Sequence, residues 1–142
     1  MHLDAQNLFS DAQAFTATAN STNYLDLGDT AQPVLAPAKL VRDIGGAYDV
    51  PLLVQVVTAF TGLTSVEVQV QTDDNTGFSS AKTVASSGAI PLASLVPGYK
   101  FPIPVIPPGA NERYMRLRYV VVGTGTGGAL TAGIAAGLQT NG

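Results

Sequence analysis

The stretch Asn111-Glu112-Arg113-Tyr114-Met115-Arg116-Leu117-Arg118-Tyr119-Val120-Val121-Val122 decides the fold, because unlike chemistry alternates along it. Successive side chains of an extended backbone point to opposite faces. Met115, Leu117, Tyr119 and Val121 therefore share one face, and Tyr114, Arg116, Arg118 and Val120 share the other. Residues 64–72 alternate more cleanly, with Val66, Val68 and Val70 opposed to Ser65, Glu67, Gln69 and Gln71. Period two in both places predicts half-buried strands, and no comparable pattern occurs at helical spacing. The expectation is an all-β chain that works through its surfaces and loops.

Outward from these strands the chain is punctuated by glycine and proline. Residues 10–23 are small, polar and Thr-rich, with Phe9 and Phe15 the only large apolar side chains near them. Such a segment buries little by itself, which predicts an extended arm that pairs at a sheet edge or crosses a neighbouring subunit. Residues 24–27 read as a short strand ending at Gly28. Residues 52–59 are apolar on both faces apart from Gln55, as in a central strand. Residues 73–78 read as a turn and residues 82–85 as another short strand. Six of the nine prolines lie between Pro91 and Pro108. Proline cannot donate to a ladder, so residues 100–108 are expected to be an extended loop or an edge segment. In residues 129–139, Leu130, Ala132, Ile134, Ala136 and Leu138 alternate with Thr131, Gly133, Ala135 and Gly137, a face so poor in side chains that another backbone can approach it. Short strands between Gly/Pro turns imply one all-β domain, a β-sandwich or jelly-roll-like barrel over residues 24–142 with an N-terminal arm over residues 1–23.

Composition narrows the function. At 142 residues the chain is long enough to bury a core without metal or disulfide support. Cysteine is absent, which excludes thiol chemistry, and the single histidine, His2, sits near the start of the chain. Charged residues make up 12%, about half of the ~25% usual for a soluble domain, while hydrophobic residues reach 46%. A surface so poor in charge suggests burial against partners. The net charge of −3 and the scatter of basic residues argue against nucleic acid as a partner. No run approaches the ~18 apolar residues of a membrane helix, and no signal peptide is visible, so a soluble, intracellularly made protein is expected.

Several motifs offer chemistry and lead back to structure. Gly123-Thr124-Gly125-Thr126-Gly127-Gly128 has the letters of a dinucleotide loop but no following helix, and a glycine hairpin loop is the better reading. Asp73-Asp74-Asn75-Thr76-Gly77 is a fragment of a calcium loop without its downstream glutamate, and reads as a turn. Asp29-Thr30-Ala31 lacks the glycine of an aspartic-protease turn. Asn20-Ser21-Thr22 is a glycosylation sequon by letter only. A serine nucleophile would have only His2 as an imidazole base. No catalytic set, cofactor site or metal site emerges, and the chain is not expected to be an enzyme.

What remains is a contact surface. Arg113, Arg116 and Arg118 cluster, Tyr114 shares the face of the last two, and Arg and Tyr are enriched in interfaces. Glu67 faces outward on the other alternating strand and is expected to partner these arginines if the strands are neighbours. Glu112, beside Arg113, and the arm's Phe9 and Phe15 complete the set of expected contact residues.

Stretches along nearly the whole chain resemble the capsid cement, or decoration, proteins of tailed bacteriophages. They are Phe9-Ser10-Asp11-Ala12-Gln13-Ala14, Leu25-Asp26-Leu27-Gly28, Arg42-Asp43-Ile44-Gly45, Val68-Gln69-Val70-Gln71-Thr72-Asp73-Asp74, Phe78-Ser79-Ser80, Ser87-Gly88-Ala89-Ile90-Pro91 and, most specifically, residues 108–119. Met115 stands where that family is expected to carry leucine, and residues 102–107 are richer in proline. The resemblance implies a jelly-roll-type β-sandwich on the outer surface of an HK97-like head, made in the host cytoplasm. It implies the phage major capsid protein as partner, self-association with a dimer favoured and a trimer as the alternative, and no catalysis. A receptor- or glycan-binding β-sandwich of a head fibre or tail is the alternative. Such modules usually present aromatic platforms, whereas this chain has no Trp.

Overall fold

The computed structural model describes residues 3–136 and is all-β apart from a single 3-10 turn at Leu92–Ser94. The strands are β1 (Leu3–Ala14), β2 (Ala19–Asn20), β3 (Leu25–Asp26), β4 (Leu52–Asp73), β5 (Lys82–Ser86), β6 (Ile90–Pro91) and β7 (Tyr114–Ala135). All belong to one antiparallel sheet with the order β1-β7-β4-β5. β2 and β3 pair with β7, and β6 pairs with β4.

Two strands of 22 residues each, β4 and β7, carry the architecture. The alternating residues 64–72 and the apolar residues 52–59 are the two ends of β4 rather than separate strands. The run from Gly123 to Gly128 is no hairpin loop either, since strand pairing continues through it. The ladder instead shifts register between Val56 and Ser65 of β4, opposite this glycine run. Such irregularities bend a strand and increase its twist. Gly123 has φ 91° and Gly128 φ 132°, and a Cβ on Gly128 would stand 2.2 Å from the Phe60 ring. Glycine is required there because the sheet turns a corner against an aromatic side chain.

The corner folds the sheet onto itself. Ser10, paired with Ala132, would lie roughly 40 Å from Tyr119 if β7 were straight. Its Oγ is 2.7 Å from the Tyr119 hydroxyl. One layer is thus the first half of β4 with the last half of β7 and β1. The other is the second half of β4 with the first half of β7 and β2, β3, β5 and β6. Between them lie Leu52, Val54, Val56, Leu130 and Ala132 from the first layer and Val66, Val68, Val70, Met115, Leu117 and Tyr119 from the second. The alternation placed Met115, Leu117 and Tyr119 on the core face, and all three are fully buried.

The arm is part of this core. β1 pairs edge-to-edge with the end of β7, with Leu8 opposite Gly133, where a Cβ on Gly133 would crowd the Leu8 side chain. Residue 23 is therefore no structural boundary. The proline-rich segment runs along the free edge of the first half of β4. Val56 N donates to Tyr99 O, Phe101 N to Val54 O and Leu52 N to Pro104 O, each at 2.9 Å. The expected edge segment is present, with Phe101, Ile103 and Ile106 buried beneath it. His2 and residues 137–139 lie outside the described residues. Among the described residues no helix is long and apolar enough to cross a membrane.

Candidate docking surface

The outward face of the second layer is set by the register of β4 on β7: Asp73 opposite Tyr114, Gln71 opposite Arg116, Gln69 opposite Arg118 and Glu67 opposite Val120. Since Met115, Leu117 and Tyr119 fill the core, the pleat obliges Tyr114, Arg116 and Arg118 to face out. β2 and β3 extend the face along the other edge of β7, with Asn20 opposite Arg118 and Asp26 opposite Tyr114.

Arg116 is held in place. Its guanidinium lies 4.3 Å above the Phe78 ring, and its Nε donates to Gln71 Oε1 at 3.0 Å. Gln71, itself buried, passes the chain on by donating to Thr83 Oγ1. Burial, and then the neighbouring Arg118 charge, lower the pKa of Arg116 from its ordinary value. The guanidinium of Arg118 has no hydrogen-bond or ion-pair partner among the described residues. Arg113 is committed to Asp26 through two bonds, Nε to Oδ1 at 2.8 Å and Nη2 to Oδ2 at 2.9 Å. That fork holds the Asp26 carboxyl at about 2, first through the Arg113 hydrogen bond and then through the Gly28 backbone N–H.

An aromatic row joins these cations. Tyr24 meets Phe78 at 6.0 Å and Tyr114 at 5.6 Å between centroids, both edge-on, and Arg113 lies over the Tyr114 ring. Phe78 adopts φ 49°, a left-handed conformation that is uncommon for a bulky residue. The turn before it fixes that geometry. The buried Asp73 carboxylate accepts from the backbone N–H groups of Asp74, Asn75 and Ser80 and from the Ser80 hydroxyl. Burial alone would raise its pKa, but the Ser80 bonds and those of Asp74 and Asn75 outweigh it and hold the group at about 2. The sequence reading of residues 73–78 as a turn is therefore correct in kind. Its role in seating the buried Phe78 ring beneath Arg116 and Tyr24 has no counterpart in the linear pattern.

The other expected contact residues divide. Glu67 does face outward on the strand beside β7, yet it does not partner an arginine. It accepts from Ser86 Oγ and, more weakly, from Gln69 Nε2, and those bonds lower its pKa. Opposite Val120 it is displaced along the ladder from Arg118, which explains the missing pair. Glu112 accepts from Thr72 Oγ1 at 2.7 Å, at the end of the same ladder. Phe9 and Phe15 are no contact residues: they are 0% and 7% exposed inside the chain's own core, and Phe15 stacks on Tyr119 at 5.0 Å. Sequence reasoning missed Tyr24, Phe78 and Gln71. An aromatic directly after a polar Asp/Asn/Gly turn was the only local hint of Phe78.

The surface therefore offers the Tyr24 and Tyr114 rings, two guanidinium groups stacked on Tyr114 and the buried Phe78, and a third guanidinium, that of Arg118, with unused donors. That combination suits recognition of a protein surface carrying carboxylate or carbonyl oxygens. Among the described residues no three His, Asp or Glu side chains stand together as a metal site would require. No curated protein matches the chain. The family model Bbp16 matches residues 9–134, from the buried Phe9 of β1 to the last pairs of β7, and the chain belongs to the Bbp16 family.

Proposed function

We propose that this protein is a capsid cement protein of a tailed bacteriophage. It binds the outer surface of the head through the major capsid protein, self-associates, bridges neighbouring capsomers and acts by binding rather than by catalysis. The observation that supports this reading best is the outward row Tyr24, Tyr114, Arg116 and Arg118, seated on the buried Phe78 ring. Its rings and Arg116 are already immobilised, so little ordering entropy is lost on docking. A cement protein needs only modest affinity at each contact, because joining several contacts in one oligomer raises the effective concentration of the next. The net charge of −3 also suits a position outside a shell that holds DNA phosphates.

The test is co-sedimentation with purified empty heads, comparing the parent protein with Arg118→Ala. Parent protein that stays in the supernatant at capsid-like concentrations overturns the reading. Tyr24 is 46% exposed beside the two arginines, which gives the glycan-binding alternative its one foothold. Saturable binding on a glycan array, together with no binding to heads, would favour that alternative.

A further inference from the structure

The outward face of β7 carries two positive charges that meet no carboxylate among the described residues. Arg116 and Arg118 stand on one side of the strand, roughly 7 Å apart along it, and both are half-buried. Burial disfavours the charged form of Arg116, and the Arg118 charge adds to that cost. The carboxylates of the neighbouring strands and turn are engaged elsewhere. Asp26 is forked by Arg113, and Asp73 and Asp74 hold their own turn together. Glu67 accepts from Ser86 and Gln69, and Glu112 accepts from Thr72. The ladders set amides beside the two arginines instead: Gln71 opposite Arg116, with Gln69 and Asn20 flanking Arg118. Gln71 accepts from Arg116, but Gln69 turns its amide to Glu67, and the Arg118 donors stay unused.

Two like charges side by side in a partly desolvated place are relieved by an anion, and the surroundings say which kind. Phosphates of a nucleic acid call for a stripe of cations, whereas this site has two in a chain of net charge −3. Past Arg118 the same face continues into Val120, half-buried, and Val122, 53% exposed. Past Arg116 lie the Tyr114 ring and the exposed Tyr24. The cations are thus framed by apolar groups at both ends. A carboxylate is planar and matches the guanidinium fork with two parallel bonds, which an ammonium group cannot offer. In an extended segment, a residue two places from that carboxylate lies about 7 Å away, the spacing from Arg118 to Val120.

We propose that this face takes a single Asp or Glu side chain of its capsid partner in the fork of Arg118, with Arg116 beside it and an apolar residue of the same segment packed on Val120 and Val122. This rests on the cement reading and names the chemistry by which the surface chooses its partner. The preferred segment carries one acid next to an apolar side chain. A run of acids would leave the valines facing charge, and a phosphate backbone would outnumber the cations.

Carbodiimide coupling in the head complex tests the carboxylate. Arg118→Lys keeps the charge and supplies the amine that this reagent joins, with loss of water, to a carboxylate in contact. A peptide linking position 118 to an Asp or Glu of the head is expected, and none from the parent at that position. Arg118→Gln should weaken head binding at least about tenfold, with a flatter salt dependence and an unchanged melting temperature. Val122→Thr should weaken it about threefold with the salt dependence of the parent. Bound heads without the cross-link, or Arg118→Gln with parental affinity, overturn the carboxylate assignment and leave the cement reading standing. A parent that does not bind heads overturns the cement reading, and the site is then judged on the isolated protein. There a short peptide with one Glu between two Val residues is expected to shift the Arg118 Nε–H magnetic resonance saturably, and more than inorganic phosphate does. An equal response to phosphate, or none to the peptide, overturns the assignment.

Discussion

The Tyr119 hydroxyl meets Ser10 Oγ at 2.7 Å in the closed interior, and Ser10 in turn donates to Gln13 Oε1 at 2.6 Å. With the serine proton spent on Gln13, the tyrosine is the donor to Ser10. Deleting the two partners should therefore have unequal effects. Ser10→Ala leaves a buried phenol without an acceptor and is expected to cost ~1–3 kcal/mol, whereas Tyr119→Phe leaves Ser10 still bonded to Gln13 and should cost about 1 kcal/mol. Urea unfolding of the two variants checks the order. Equal losses would show that the proton runs the other way.

Acid should loosen the outward face before neutral conditions do. Asp73 and Asp26 are both held at about 2, below their ordinary value of 3.8. A carboxyl depressed in the folded state stabilises the fold fully above its unfolded pKa, and that contribution is lost as pH falls toward the folded one. Stability is therefore expected to decline from about pH 4 to about pH 2. Asp73→Asn and Asp26→Asn should each be less stable at neutral pH and show a flatter decline through that window. Thermal melts across the range measure it, and a parent profile that is level from pH 4 to pH 2 would contradict the assignment.

The glycine corner gives a sharp contrast between two substitutions. Gly128→Ala forces a Cβ into the Phe60 ring at a left-handed φ and should cost roughly 2–4 kcal/mol. Gly88 has φ 70° but nothing within 4 Å of a built Cβ, so Gly88→Ala should cost only ~1 kcal/mol. Comparable midpoints for the two variants would mean that Phe60 yields easily.

Arg116 and Arg118 should separate stability from docking. Arg116→Ala removes the stack on Phe78 and the bond to Gln71, and is expected to lower stability by ~1–2 kcal/mol. Arg118→Ala should leave the melting temperature unchanged, because the side chain has no hydrogen-bond or ion-pair partner among the described residues. On heads, a buried and partnered arginine would be worth ~2–5 kcal/mol against ~0–1 for a solvated one. Undiminished head binding by Arg118→Ala would make this face a solvent face.

How far the sequence could be read follows from what period two encodes. Alternation assigns faces, so Met115, Leu117 and Tyr119 were legible as core and Arg116 and Arg118 as outward. It does not encode which strand lies alongside. Glu67 faced the right way, yet opposes Val120 and bonds to Ser86 and Gln69. The glycine run was misread because a corner and a hairpin both call for left-handed backbone. Only the partner strand, which irregular pairing carries from Val56 to Ser65, distinguishes them. Phe9 and Phe15 looked stranded in a polar arm because their neighbours are remote in sequence: Phe15 packs on Phe60 and Tyr119. The aromatic row was the least legible part, since Tyr24, Phe78 and Tyr114 come from three segments and meet only once the sheet is built.

The pairing of β1 with the end of β7 also dictates a timetable. β1 finds its ladder partner only after β7, far along the chain, has been made, so neither Phe9 nor Phe15 can settle before then. Closure of the long loop from β1 to β7 precedes the contacts that reward it, which places folding on the ms–s scale of non-local β topologies. During that interval the β7 edge awaiting β1 stands open to strands of other nascent chains. With so few charged residues to keep chains apart, that waiting period is the most aggregation-prone stage.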